Sequence, residues 1–143
     1  MEIVIQAQEI FKRYPSQPGS PAVSGLNLAV LKGQLYSLVG PDGAGKTTVL
    51  RILSTVMEQS SGSACVMGFD VRAEPEKARR HIGYMPQNFS LYPDLSVLEN
   101  LNFFADIHRI PASRKKERIQ EMLSFTRLER FETRRAGALS GGM

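Results

Sequence analysis

A glycine-rich loop between an apolar segment and an amphipathic segment constrains the fold of this 143-residue chain most strongly. Residues 35–39 before the loop are largely apolar, which predicts a buried strand, and residues 45–57 after it carry apolar side chains at helical spacing. The loop fits the pattern G-x-x-x-x-G-K-[ST], which in a strand–loop–helix context strongly indicates nucleotide phosphate binding. The predicted phosphate loop comprises Gly40, Pro41, Asp42, Gly43, Ala44, Gly45, Lys46, Thr47 and Thr48.

The residue types of this phosphate loop suit a polyanionic ligand. Its glycines can adopt positive φ angles, so that backbone N–H groups approach the phosphates, and the following helix adds the positive end of its dipole. We expect Lys46 to reach the β- and γ-phosphates, Thr47 to ligate Mg²⁺ and Thr48 to bond a neighbouring phosphate oxygen. An ordinary glycine-rich turn before a helix is the alternative. A dinucleotide fingerprint is excluded, because it requires Gly or Ala at position 48.

The positive charge of the chain is local. The formal net charge is +4, whereas residues 109–135 alone hold nine Lys or Arg against four Asp or Glu. Because acidic residues interrupt this stretch and few aromatic residues accompany it, we favour a solvated helical face over a nucleic-acid patch. Nucleic acid is therefore not an expected partner.

Cysteine usage and hydropathy narrow the class of protein further. Cys65 is the single cysteine, so an internal disulfide is excluded and a reducing compartment is indicated. Because no histidine is evidently placed to serve it, we favour a small buried hydrophobe at Cys65 over a catalytic thiol. No signal-peptide pattern and no apolar run of about 18 residues occurs, so we expect any membrane link to come through a partner.

The order of predicted elements places a β-rich half before a helical half. A proline- and glycine-rich loop at residues 15–21 separates the first two predicted strands. In the second half, Ser96 and Glu99 form a capping box that opens one helix, and Ser113 is the expected N-cap of the next. The predicted strands are 2–10, 23–30, 35–39, 63–67 and 82–86, and the predicted helices are 45–57, 75–80, 96–108 and 113–125.

Two further motifs narrow the kind of nucleotide-binding protein. Tyr-Met-Pro-Gln spans residues 84–87, and Leu-Ser-Gly-Gly-Met spans residues 139–143. A glycine pair after a serine suits a helix N-terminus that offers free N–H groups to an anion. Together with the phosphate loop, these motifs resemble the ATP-binding subunits of ABC transporters in identity, order and rough spacing, and the resemblance covers the whole chain.

The resemblance implies an α/β fold of the P-loop NTPase class. It implies an incomplete RecA-like core with an N-terminal antiparallel β subdomain, followed by an α-helical subdomain. The ATP-binding core, which contains the phosphate loop as its Walker A motif, would occupy residues 1–88. The helical subdomain, which ends in the signature motif, would occupy residues 89–143.

Roles for individual residues also follow from the resemblance. Gln87 resembles the glutamine that approaches Mg²⁺ and the attacking water and relays the nucleotide state to a membrane subunit; with Lys46 it makes up the implied catalytic residues. Tyr14 resembles the aromatic residue that stacks on adenine. An ordinary polar loop residue at 87 and a plain packing aromatic at 14 are the alternatives. In the family, the signature residues contact the γ-phosphate held by a second subunit. Here they are Ser140, Gly141 and Gly142.

The implied partners are a second ATP-binding subunit and a polytopic membrane subunit. The two ATP-binding subunits would form a head-to-tail pair around two ATP molecules with Mg²⁺, at the cytoplasmic face of the cell membrane. Residues 83–101 are similar to the bacterial export branch, in which the stretch after Gln87 faces the membrane subunit. Apolar residues there suit interface anchors, with packing inside the subdomain as the alternative. They are Phe89, Leu91, Tyr92 and Leu95.

The sequence departs from the family pattern at Asp42, where Asn is frequent, and at Met143, where Gln is usual. A carboxylate at position 42 has an electrostatic cost near phosphates unless it points outward. No hydrophobic run ending in an acidic pair follows Lys46, so the Walker B residues, the D-loop and the switch histidine have no match. Because hydrolysis needs a residue that positions water, we expect this chain alone to hydrolyse ATP negligibly and to be part of a longer gene product.

Three other functions stay open. A non-transport ABC protein that acts on nucleic acid or ribosomes has the basic segment 109–135 as its only support. A non-hydrolysing nucleotide-binding module requires the chain to be complete as given. A phosphoryl-transferring kinase lacks an evident acceptor-site or lid motif. The residues do not identify a transported cargo.

Overall fold

The computed structural model describes residues 2–16, 19–87 and 91–140. The chain divides into two compact units, Met1–Met85 and Pro86–Met143. Residue 88, where the sequence analysis ends the ATP-binding core, lies outside the described residues, and that boundary stays a prediction.

The first unit is built on a four-stranded antiparallel sheet. Its elements are β1 (Ile3–Lys12), β2 (Val23–Leu31), α1 (Lys46–Leu53), β3 (Ser61–Val66), β4 (Phe69–Asp70) and α2 (Pro75–Arg79). The strand order is β2-β1-β3-β4. In the central strand, Ala7 lies opposite Leu28 of β2 and Ala64 of β3, and all three are buried. Helix α1 adds Val49 and Ile52 to the same core. The predicted antiparallel strands and the predicted helix after the phosphate loop are therefore confirmed.

Two predicted strands in this unit are wrong. Residues 35–39 and 82–86 are irregular, and Leu35 is 100% exposed, Val39 93% and Met85 91%. A strand needs a neighbour with which to exchange backbone hydrogen bonds, and neither segment pairs with a strand in the described part of the chain. Of residues 35–39, Leu38 packs against the core of the unit. The apolar composition of these segments therefore did not suffice to predict a strand.

The second unit is helical. Its elements are α3 (Val97–Ile107), α4 (Ala112–Thr126) and the 3₁₀ turns Glu129–Phe131 and Ala136–Ala138. Val97 of α3 packs with Ile119 and Leu123 of α4 in a buried cluster. The predicted N-cap at Ser113 is wrong, because Pro111 is the N-cap and its carbonyl oxygen already accepts the first two helical hydrogen bonds. The helix therefore begins at the residue after the proline and includes Ser113.

A buried amide organises the loop before α3. Asn100 is 2% exposed, and its Oδ1 accepts a hydrogen bond of 2.9 Å from the backbone N–H of Tyr92. Its Nδ2 donates to the carbonyl oxygens of Tyr92 at 3.0 Å, Leu95 at 3.3 Å and Ser96 at 3.0 Å. The same loop accepts two bonds from the last 3₁₀ turn, since the carbonyl of Leu95 is bonded by Ala136 and that of Pro93 by Gly137. Asn100 thus ties residues 92–96 to α3, and this loop carries the segment that leads to residue 140.

The N-terminus of α3 has the predicted capping box. The backbone N–H of Glu99 donates to Ser96 Oγ at 3.2 Å, and the backbone N–H and the hydroxyl of Ser96 each donate to Glu99 Oε2 at 2.7 Å. These bonds hold the pKa of the Glu99 carboxyl below its usual range, the bond from the Ser96 backbone contributing most. A carboxylate with a lowered pKa contributes stability above its unfolded pKa and loses it as the pH falls through the folded value.

Substitution of the cap should therefore have a pH-dependent cost. We expect Ser96→Ala to lower the free energy of unfolding by about 1 kcal/mol at neutral pH. The difference between Ser96→Ala and the unsubstituted protein should shrink in acid, where protonation of Glu99 weakens the network in both. Urea unfolding followed by circular dichroism at neutral pH and near pH ~3 measures both effects. A difference that is equal at the two pH values, or larger in acid, would contradict this account.

Within the described residues, no helix has the length and apolar character needed to cross a lipid bilayer.

Candidate functional site

The phosphate loop has the backbone geometry that its glycines suggested, with one exception. Gly43 and Gly45 have φ angles of 81° and 85°, in the left-handed region, whereas Gly40 does not have a positive φ. A Cβ atom at Gly45 would lie 2.2 Å from the carbonyl oxygen of Ala22, just before β2. Glycine is therefore required at position 45 both for the φ angle and for the close approach of the loop to β2.

Lys46 bends back over the loop that precedes it. Its Nζ donates hydrogen bonds of 2.7 Å to the carbonyl oxygens of Gly40 and Pro41. The ammonium group is thus bonded to the start of the loop, while the backbone of Lys46 begins α1. Gly45 caps this helix without a side-chain hydrogen bond, so the first N–H groups of α1 receive no side-chain cap. A cation beside uncapped helical N–H groups favours an anionic ligand.

Tyr14 is brought against the phosphate loop, although 34 residues separate it from Thr48. Its hydroxyl lies 3.2 Å from Thr48 Oγ1 and donates to Met57 Sδ at 3.3 Å. The ammonium of Lys12 lies 5.5 Å from the centre of the Tyr14 ring and donates to the carbonyl of Glu58 at 2.7 Å. The ring is half-buried. Its predicted stacking on adenine stays a prediction.

An open cleft of about 560 Å³ runs beside the loop within the first unit. It is lined on one side by the start of β2 and on the other by the loop and the segment before it. The lining residues include Ala22, Val23, Val39, Gly43, Ala44 and Lys46. Asp42 and Thr47 are exposed, so the Asp42 carboxylate adds no buried charge to the loop.

The other predicted site residues belong to the second unit. Gln87 is exposed and lies in a bend. Leu139 packs against the α3–α4 cluster, and Ser140 after it is exposed. Gly141 and Gly142 lie outside the described residues, as does Phe89 among the predicted interface anchors. The roles of these residues stay predictions.

Cys65 lies in β3 and is half-buried. Burial raises the pKa of its thiol, and the carboxylates of Asp70 and Glu74 raise it further. A raised pKa keeps the thiol protonated and unreactive at neutral pH. The environment of Cys65 thus agrees with a packing residue and not with an activated nucleophile.

Sequence reasoning missed four neighbours of the site residues. Met57 and Lys12 contact Tyr14, Ala22 lies against Gly45, and Asn100 organises the loop before α3. Met57 and Ala22 become neighbours of the site only when distant segments pack together, so no local pattern marks them, whereas Lys12 lies two residues before Tyr14 in the sequence. Asn100 did carry a signal, since an Asn within a largely apolar helical stretch is a polar residue that needs hydrogen-bond partners when it is buried.

Comparison with known proteins identifies the family. A family model described as ABC transporter matches residues 23–143. The chain belongs to the ABC transporter family. It corresponds to the ATP-binding component, because the relatives that match over nearly its whole length are named ATP-binding proteins. The resemblance inferred from the three motifs is thereby confirmed.

Curated relatives are named for multidrug transport, for export and for import. The probable multidrug ABC transporter ATP-binding protein YbhF of Escherichia coli K12 is 44% identical over 99% of this chain and 24% of its own length. The Nod factor export ATP-binding protein I of Ralstonia nicotianae is 36% identical over 98% of this chain and 43% of its own. The spermidine/putrescine import ATP-binding protein PotA of Haemophilus influenzae is 34% identical over 97% of this chain and 36% of its own length. The chain thus spans less than half the length of each of these relatives.

Solved structures agree with the predicted fold class. A dimeric ATP-binding cassette in a post-hydrolysis state, bound to ADP and Pi, matches with a TM-score of 0.83 and 27% identity, over 96% of this chain and 63% of its own. The cbiO1 protein of Clostridium perfringens, described as part of the complex cbiONQ, matches in fold with a TM-score of 0.79 and 23% identity, over 98% of this chain and 57% of its own. The predicted α/β fold of the P-loop NTPase class is therefore confirmed.

Proposed function

We propose that residues 40–48 bind the phosphates of MgATP and that the chain supplies this site to the ATP-binding subunit of an ABC transporter. One observation carries the proposal. Gly43 and Gly45 turn the loop through left-handed conformations onto the uncapped start of α1, and Lys46 holds its ammonium over that turn. Backbone N–H groups and a cation that converge in this way suit a polyphosphate.

The residues of the loop also suit a magnesium ion on the nucleotide. Thr47 is exposed in the first turn of α1, where its hydroxyl is open to a ligand. We propose Thr47 as the residue that holds Mg²⁺, with Gln87 as a second candidate. Mg²⁺, when bound, supplies neutralisation of charge on the β- and γ-phosphates. Lys46 would leave the carbonyls of Gly40 and Pro41 to donate to phosphate oxygens, which are stronger acceptors because they are charged.

The complete protein is proposed to hydrolyse ATP in a head-to-tail pair of ATP-binding subunits. Support comes from the similar solved cassette, which is dimeric and bound to ADP and Pi. Ser140, Gly141 and Gly142 would contact the nucleotide of the other subunit, and Tyr14 would stack on adenine. A polytopic membrane subunit would hold the pair at the cytoplasmic face of the membrane. We propose export as the direction, because relatives at 44% and 36% identity are named for multidrug transport and Nod factor export.

Removal of the Lys46 ammonium tests the site itself. We expect Lys46→Ala to weaken MgATP binding at least about tenfold, because a charge-assisted hydrogen bond to phosphate contributes roughly 1.5–3 kcal/mol. Isothermal titration calorimetry on the 143-residue chain, with folding verified by circular dichroism, measures the change.

Lys32→Ala provides the matched control. Lys32 is also a lysine of the first unit, but its ammonium pairs with Glu2 at 3.0 Å and lies outside the loop. The Lys32→Ala variant should bind MgATP with an affinity within about twofold of that of the unsubstituted chain, since exposed ion pairs contribute little. Absence of ATP or ADP binding by the folded chain at millimolar ligand, or equal losses in the two variants, would overturn the proposed function.

A further inference from the structure

The hydroxyl of Tyr14 has two neighbours with different acceptor strengths. Thr48 Oγ1 lies at 3.2 Å and Met57 Sδ at 3.3 Å. The two residues before Tyr14 fix the position of its ring, because each bonds to the segment that contains Met57. The backbone N–H of Arg13 donates to Ser60 Oγ at 3.0 Å, and the ammonium of Lys12 bonds the carbonyl of Glu58 at 2.7 Å. The hydroxyl is thus held beside Thr48 by the junction between β1 and residues 57–60.

The number of protons restricts how these three side chains bond. A tyrosine hydroxyl and a threonine hydroxyl each carry one proton, and a thioether sulfur carries none. If Tyr14 donates to Met57, the contact with Thr48 uses the Thr48 proton, and Thr48 has none to offer elsewhere. If Tyr14 donates to Thr48, the Thr48 proton is free for a further acceptor. A thioether is a weak acceptor, so little free energy is lost when Tyr14 stops donating to Met57 and donates to Thr48 instead.

Thr48 lies where its free hydroxyl proton could be donated to a phosphate oxygen. It is the third residue of α1, in the first helical turn after Gly45 and two residues from Lys46. Phosphate oxygens accept hydrogen bonds but donate none when fully ionised. A phosphate at this helix start therefore selects the arrangement in which Tyr14 donates to Thr48 and Thr48 donates to the ligand.

We propose that Tyr14 is a positioning residue for the phosphate site, acting through Thr48. Its hydroxyl orients the Thr48 hydroxyl, so that the Thr48 proton points toward a phosphate oxygen of the nucleotide. This inference rests on the proposed function, and it differs from the expected stacking of the ring on adenine. Stacking needs only the aromatic face, whereas the positioning role needs the phenolic oxygen.

The variant Tyr14→Phe separates the two roles, because it keeps the ring and removes the hydroxyl. We expect it to weaken MgADP binding about fivefold, the size of one ordinary hydrogen bond. Thr48→Val, which keeps the side-chain shape, should weaken binding about tenfold, since it removes the bond to phosphate. The double variant should be no weaker than Thr48→Val alone, because the Tyr14 hydroxyl then has nothing to orient.

Tyr36→Phe is the matched control for the loss of a phenolic hydroxyl. Tyr36 is 50% exposed, belongs to the same unit and lies outside residues 40–48. It should bind MgADP within about twofold of the unsubstituted chain. Calorimetric titration gives the affinities, and the thermal unfolding temperature of each ligand-free variant shows whether it is folded.

The outcomes separate this inference from the proposed function. Failure of the folded, unsubstituted chain to bind MgADP would overturn both. Normal binding by that chain, with Tyr14→Phe within twofold of it or with additive losses in the double variant, would overturn the positioning role alone. A fall in the unfolding temperature of Tyr14→Phe without loss of affinity would equally assign the hydroxyl to structure only.

Discussion

Replacement of Asn100 by alanine should cost the helical unit about 3 kcal/mol of unfolding free energy, since it removes the several hydrogen bonds of a buried side chain and leaves the N–H of Tyr92 without its acceptor. The carbonyls of Tyr92, Leu95 and Ser96 each keep another backbone donor, from Leu95, Ala136 and Asn100 respectively. The N–H of Tyr92 instead loses the acceptor that Asn100 supplies. With Asn100 only 2% exposed, water has little access to replace it.

Hydrogen–deuterium exchange gives the most direct measurement of this effect. In Asn100→Ala, the amides of residues 92–100 should lose protection, and those of Ala136 and Gly137 should lose it as well, because they donate to the loop that Asn100 secures. The pattern would show that a side chain on α3 stabilises the segment that leads to Ser140.

Asn102→Ala is the matched control on the same helix. The Asn102 side chain is half-buried, and its one hydrogen bond within the described part of the chain is donated to the carbonyl of Leu98 at 2.9 Å. Its loss should cost no more than about 1 kcal/mol and should leave Ala136 and Gly137 protected. Similar exchange patterns in the two variants would show that Asn100 is not the residue that organises this loop.

Gly45→Ala should lower the free energy of unfolding of the first unit by about 3 kcal/mol, through a backbone overlap added to an unfavourable φ angle. The new Cβ would lie 2.2 Å from the carbonyl oxygen of Ala22 and 3.2 Å from Val23 Cγ2. Neither the carbonyl nor the start of β2 can rotate away as a surface side chain does. We therefore expect the loop or the strand to shift and nucleotide binding to fail with it.

Gly43→Ala isolates the contribution of the φ angle. Gly43 has a φ of 81°, close to the 85° of Gly45, but apart from its two chain neighbours no described residue has an atom within 4 Å of a Cβ built there. This variant should lose only about 1 kcal/mol, the ordinary cost of a left-handed conformation. Urea unfolding of both variants measures the difference, and equal losses would mean that the contact with Ala22 does not constrain the loop.

The elements that were predicted correctly depend on short-range interactions. The capping box at Ser96 uses residues three apart, and the turn into α1 uses glycines within the loop. Alternation in β1 and β2 places Ala7 and Leu28 in the core. Each of these patterns is complete within a few residues, so it can be recognised from the local sequence alone.

The predictions that failed depend on what lies beside a segment. Residues 35–39 have the apolar composition of a buried strand, yet Leu35 and Val39 are exposed because the described residues provide no neighbouring strand for them. Ser113 is a good N-cap by residue type, but Pro111 already supplies the carbonyl that starts α4. A residue type permits a role, and its surroundings decide whether the role is filled.

The amino-acid sequence by itself determined the glycine-rich loop before α1, the capping box of α3 and the family, because each depends on contiguous residues with set spacings. Only the tertiary structure decided that Tyr14 bonds Thr48, that Gly45 lies against Ala22, and that Asn100 holds the loop before α3. The first two contacts join segments more than 20 residues apart, and the third depends on how a loop folds back on its helix. Local propensity carries no information about such pairings, since they form only when the sheet and the helices pack.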